Sequence, residues 1–237
     1  MSDAAIDYDG ASMPELMELM SGEDPGARAD AACAIGDRLR TREIGTVDST
    51  VRDRLAALLE DPVPMVKLEA AIALAEAKDT RATDLLLEAA GYRRFRLDAI
   101  RSLGTLGDEK AVPALTRIME RLLMPWADKL QAAAALCALG DQDGATYLEQ
   151  RLRSRRFAER AAAVHFLGES RHPNAFALLT EILNASGHEL RDVAARALGL
   201  LGDPRAKEAL QEIRKNADEG LREDIDTALR QIDLAGQ

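Results

Sequence analysis

The chain has 237 residues, 47% hydrophobic and 30% charged, enough apolar mass for a continuous buried core. Its 43 Ala and 34 Leu against 3% aromatics favour helices and argue against β-sheet. With 31 bases against 41 acids the formal charge is −10, which disfavours generic binding to a nucleic-acid backbone, and no apolar run approaches the roughly 18 residues of a membrane span.

Residues 1–11 are acidic and lack the basic and apolar regions of a targeting signal; they are expected to be a disordered tail before one repeat domain over 12–234, and the cytoplasm is the expected location. Seven helical hairpins are predicted. The earlier helix of each, A, falls near Ser12–Met20, Asp48–Glu60, Thr80–Ala90, Glu109–Leu123, Gln142–Leu152, Asn174–Ala185 and Pro204–Lys215. The later one, B, falls near Gly26–Leu39, Pro62–Ala77, Arg93–Leu106, Pro125–Leu139, Phe157–Gly168, Glu189–Leu201 and Glu219–Leu234. The register comes from one basic residue per unit: Arg28, Lys67, Arg96, Lys129, Arg160, Arg191 and Arg222, at intervals of 39, 29, 33, 31, 31 and 31. The long first interval is taken up by a connection around Arg40–Thr46. Apolar residues recur at helical spacing, as in Leu190, Ala194, Leu198 and Leu201. Gly-Asp pairs punctuate the units, with Asp203 predicted as an N-cap and Pro204 as the first helical residue. No hairpin buries its apolar face alone, so the fold class is all-α, a right-handed α-solenoid of about seven hairpins.

The units Leu190-Arg-Asp-Val-Ala-Ala-Arg-Ala-Leu-Gly-Leu-Leu-Gly-Asp203 and Asp61-Pro-Val-Pro-Met-Val-Lys67 resemble HEAT-like repeats of the kind named after phycobilisome lyases. The resemblance covers about residues 12–234 and implies a hydrogen-bond ladder of repeated Asp and basic residues between neighbouring turns. Asp61 with Lys67, and Asp24 or Asp218 with the Arg downstream, are the pairs it suggests. It also implies, as an alternative function, a bilin lyase or chromophore-chaperone-like subunit.

The residues themselves give little chemistry. Cys33 and Cys137 read as small buried thiols, without disulfide or zinc spacing. Deoxyhypusine hydroxylase, built from similar repeats, needs several His-Glu pairs; three histidines cannot supply them, and His188-Glu189 is out of register. His165 and His188 are offset by about 12 Å along parallel helices, too far for one metal. His165 and Glu169, at i and i+4, read as a surface pair. HEAT-like DNA glycosylases rely on a basic face that an acidic chain lacks. No cofactor and no metal site is expected.

The expected function is therefore that of a non-catalytic scaffold, with lyase-type activity left open. Two side-chain rows are candidates. On the B helices, taken as the concave side, Asp30, Asp37, Glu69, Glu76 and Asp98 make an acidic N-terminal groove that would steer a basic protein or peptide. Three residues before the basic register lie Arg93, Trp126, Phe157 and His188, expected to form one short line on the rim, with Arg94, Arg153, Arg155 and Arg156 nearby. Trp, Phe and Arg are favoured binding anchors.

Overall fold

The computed structural model describes residues 7–8, 10–170 and 172–236, so residues 1–6 and 9 of the expected tail lie outside it. Among the described residues there is no strand, and no helix is long and apolar enough to cross a membrane. The chain divides into two compact units, one ending at Ala111 and the other beginning at Val112.

The first unit holds α1 (Met13–Leu19), α2 (Pro25–Arg40), α3 (Ser49–Leu58), α4 (Pro64–Glu76), α5 (Thr83–Ala89) and α6 (Arg96–Leu106), with 3-10 turns at Thr80–Ala82 and Glu109–Ala111. The second holds α7 (Val112–Glu120), α8 (Trp126–Ala138), α9 (Gln142–Arg151), α10 (Phe157–Glu169), α11 (Ala175–Asn184), α12 (Arg191–Leu201), α13 (Ala206–Arg214) and α14 (Glu219–Ala235). These pair as the seven expected A/B hairpins, and the fold class is that of an α-solenoid. Within each unit successive B helices pack side by side: α2 on α4 and α4 on α6, then α8 on α10, α10 on α12 and α12 on α14.

Small residues permit that contact. A Cβ on Gly168 of α10 would lie 2.8 Å from the Ala197 Cα of α12, and one on Gly199 of α12 would lie 2.7 Å from the Ala228 Cα of α14. The core behind this layer is Leu and Ile: Leu16, Ile35, Leu55, Leu74, Leu86, Ile100 and Leu103 in the first unit, Leu115, Leu130, Leu136 and Leu148 in the second. The Gly-Asp punctuation works as expected. Gly107 and Gly202 end α6 and α12 in the left-handed region, at φ 83° and 67°, which side chains rarely adopt. Asp141 then accepts hydrogen bonds from the Asp143 and Gly144 amides at the start of α9.

Several boundaries differ from expectation, three of them for a visible local reason. B helix α6 begins at Arg96, not Arg93, because Tyr92–Phe95 forms a separate turn closed by the Phe95 amide on the Tyr92 carbonyl at 3.0 Å. Helix α7 stops at Glu120 rather than Leu123. Pro125 disfavours helical backbone at Met124, so Arg121–Met124 becomes a turn and Leu122 and Leu123 point outward. Helix α13 begins at Ala206: Asp203 accepts from the Arg205 amide, and Pro204-Arg205 is spent in the turn.

The basic register has a structural role that differs from the suggested pairs. Five of its arginines reach back to close their own A/B turn by donating to carbonyls there. Arg28 binds those of Gly22 and Glu23, Arg96 those of Ala90 and Gly91, Arg160 that of Ser154, Arg191 that of Leu183 and Arg222 that of Ala217. Asp61 pairs with Arg28 of the preceding hairpin rather than with Lys67: its Oδ2 accepts from Arg28 Nε at 2.7 Å, and its Oδ1 from Arg28 Nη2 at 3.1 Å and from the Val63 amide at 2.9 Å. Asp24 and Asp218 cap α2 and α14 through backbone amides.

Candidate functional site

The acidic row lies in the first unit. Asp30 and Asp37 are exposed on α2, Glu69 and Glu76 are half-buried on α4, and Asp98 is exposed on α6. The row carries less free charge than its residue types suggest. Arg40 bonds both Glu76, at 3.0 Å, and Asp37, at 2.9 Å, and Arg101 lies 3.5 Å from Asp98. Asp30 and Glu69 have no ion-pair partner among the described residues. Cys33 sits in the middle of this face. It is half-buried rather than fully buried; its Sγ lies 3.7 Å from Asp37 Oδ2 and it also meets Glu69. Burial first, and then those two carboxylates, push the thiol up to about 12, so it is no nucleophile near neutral pH. Burial, with Asp98 and Asp37 nearby, raises the Glu69 carboxyl as well. Cys137 is buried, and burial raises it too.

The anchor row is split between the units. Arg93 lies exposed in the turn before α6, in the first unit. Trp126, Phe157 and His188 lie in the second. Trp126 and Phe157 are each the first residue of a B helix, α8 and α10, and those helices pack on one another. The two residues therefore stand at equivalent first positions of neighbouring helices. Trp126 is 38% exposed and Phe157 51%. Neither is core, although the Arg160 guanidinium lies over the Phe157 ring at 5.9 Å. His188 is exposed in the turn before α12, where its Nδ1 accepts from the Leu190 amide at 3.2 Å.

Other exposed apolar residues on the same A/B turns were not legible as candidates. Leu122 and Leu123 are 89% and 91% exposed, next to Trp126 in the turn that Pro125 forces. In the first unit Tyr92 is exposed beside a groove of about 510 Å³ whose walls include Pro62, Pro64, Leu85 and Phe95. The only available signal was the proline after Leu122-Leu123 and the Gly91 before Tyr92, both turn formers.

The histidines are dispersed. His165 Nε2 lies 3.5 Å from Glu169 Oε1, the expected i, i+4 pair, and that carboxylate raises the imidazole's pKa. His172 is buried, with its Nε2 3.2 Å from Glu149 and its Nδ1 accepting from the Asn174 amide. Among the described residues no group of three or more His, Cys, Asp or Glu is placed to hold a metal ion.

A family model described as HEAT repeats matches the chain over residues 13–94, 51–136, 120–199 and 145–230. Among solved structures, the complex of CpcE and CpcF of phycocyanin lyase from Nostoc sp. PCC7120 is 21% identical, over 99% of this chain and 99% of that one, with a TM-score of 0.58. Human deoxyhypusine hydroxylase in complex with glycerol is 19% identical over 92% of this chain and 83% of its own, with a TM-score of 0.42. An engineered protein is 19% identical over 97% of this chain and 98% of its own, at a TM-score of 0.37. No curated protein matches.

Proposed function

Because the chain belongs to the HEAT-repeat family, we propose that it is a non-catalytic scaffold that holds a protein or peptide on the surfaces of its hairpins. One observation carries the reading. Two large aromatic rings stand at equivalent positions on packed B helices, 38% and 51% exposed, where a buried gap-filling role would leave them covered. The acidic face of the first unit adds a second surface, for a basic partner. Its thiol is held protonated, which supports binding rather than nucleophilic chemistry there.

The test is capture of the native partner by Trp126→Ala and Phe157→Ala variants. Each is expected to bind more weakly while keeping its helical circular dichroism. If either variant instead loses several kcal/mol of stability, as truncation of a core aromatic does, that ring is not an anchor. The second reading, a bilin lyase or chromophore-chaperone subunit, has on its side the likeness of fold to the phycocyanin lyase complex. Co-expression with a bilin source separates the two, since a coloured adduct favours the lyase reading.

A further inference from the structure

We propose that the A/B-turn edge of α7–α10 binds an acidic amphipathic protein segment, its bulky apolar side chains seated on Leu122, Leu123, Trp126 and Phe157 and its carboxylates met by Arg121, Arg153 and Arg155. The inference rests on the scaffold reading and names the partner of its second-unit edge. Four of the chain's exposed large apolar residues gather on two adjacent turns. Leaving such surface in water is unfavourable, on the order of 25 cal/mol per Å², and a cluster of this kind marks an interaction site.

The charges around the cluster select the occupant. The two turns, 120–127 and 151–158, hold five arginines and a single acid, Glu120. Arg156 and Arg151 are drawn to the buried Glu159, at 2.9 and 4.0 Å. Arg121, Arg153 and Arg155 have no ion pair among the described residues. An apolar strip edged by three guanidinium groups that make no ion pair among the described residues, Arg153 with Glu149 and Glu181 in the same pocket, is complementary to a segment that alternates apolar and acidic side chains. Guanidinium groups hold carboxylates in paired hydrogen bonds, which fixes orientation as well as charge. The two leucines, the most exposed of the four, offer nothing to a stacked base, and a chain of net charge −10 is repelled by an extended anionic bilayer or nucleic acid. A short acidic segment presents its charge to the arginines alone.

Trp126 is the chain's only tryptophan, so its emission reports this edge directly. The probe is a synthetic amphipathic peptide of alternating Leu-Phe and Glu-Glu pairs, compared with its Lys-for-Glu counterpart and with phosphatidylserine-containing vesicles. A saturable blue shift with the acidic peptide alone is expected. It should weaken with added salt and roughly tenfold in the triple variant Arg121→Glu/Arg153→Glu/Arg155→Glu, the combined scale of three exposed charge pairs. Preference for the Lys peptide or the vesicles overturns the proposal, as does unchanged affinity in the triple variant. Affinity of the unmodified protein that does not fall with added salt overturns it equally, without any variant. If native-partner capture is lost with Trp126→Ala yet survives the triple reversal, the scaffold reading stands and the acidic-partner inference falls. If capture survives all of these changes, both fall.

Discussion

Arg28 and Asp61 tie neighbouring hairpins together with side chains only 13% and 6% exposed. Its hydrogen bond to Arg28, above all, holds the Asp61 carboxyl below its ordinary value of 3.8, and the Val63 amide adds to this. A folded value below the unfolded one means that the pair's stabilisation is fully present above about pH 4 and is lost as pH falls through the folded value. Asp61→Asn should therefore cost about 1.5–3 kcal/mol at neutral pH, the scale of a hydrogen bond to a charged group. Urea denaturation at several pH values checks this: the variant should also lose less stability than the parent on acidification below pH 4. The sequence pointed to Asp61 but to the wrong base. Lys67 is nearer along the chain, whereas the turn geometry that aims the carboxylate at Arg28 is a tertiary property.

The helical hairpins were legible almost residue by residue, because a 31-residue register, Gly-Asp stops and Ala/Leu stripes all agree. The turns between helices A and B were not. They vary in length, and Tyr92–Phe95 and Arg121–Met124 each carry apolar residues that read as helix until a proline or a local hydrogen bond takes them out of it. The exposure of Trp126 and Phe157 was likewise beyond the pattern, since a first helical residue faces solvent or a neighbour according to how the next hairpin packs. Close packing of B helices makes a sharper expectation. Gly168→Ala and Gly199→Ala should each destabilise by about 1–3 kcal/mol, as overpacking does, despite the better helix propensity of Ala. Gly220→Ala, near the start of α14, meets nothing closer than the Asp218 Oδ1 at 3.9 Å and should stabilise by up to about 1 kcal/mol. Thermal melts of the three variants check the contrast; equal effects would mean the glycines are not contact points.

Charge is unevenly shared along the chain. Residues 1–111 hold 14 bases and 22 acids, net −8, while residues 112–237 hold 17 and 19, net −2. The first unit's face should therefore attract a basic peptide more strongly at low salt than at 0.15 M, where screening acts over about 8 Å. Polylysine titration should show this. It should weaken more in Asp30→Asn, which removes a carboxylate that has no ion pair among the described residues, than in Asp37→Asn, whose charge Arg40 already meets. Equal losses would show that Arg40 does not compensate Asp37. The absence of a Pro, Gly or Ser-rich linker suggested one continuous domain; within the chain the contacts gather into two compact units, a grouping that composition does not encode.

The arginines that close the A/B turns reach carbonyls no more than eight residues away, yet Arg28 and Arg160 also reach carboxylates of the next hairpin, Asp61 and Glu189, so the latch of one hairpin is tied to its neighbour. Under tension such latches give way repeat by repeat, each together with its contact to the neighbouring hairpin. A chain pulled from its two ends would lengthen in discrete steps, each releasing one repeat of about 31 residues and roughly 110 Å of extended polypeptide. Slackening would let each released hairpin close again on a neighbour that is still folded, which makes the molecule a string of small reversible springs.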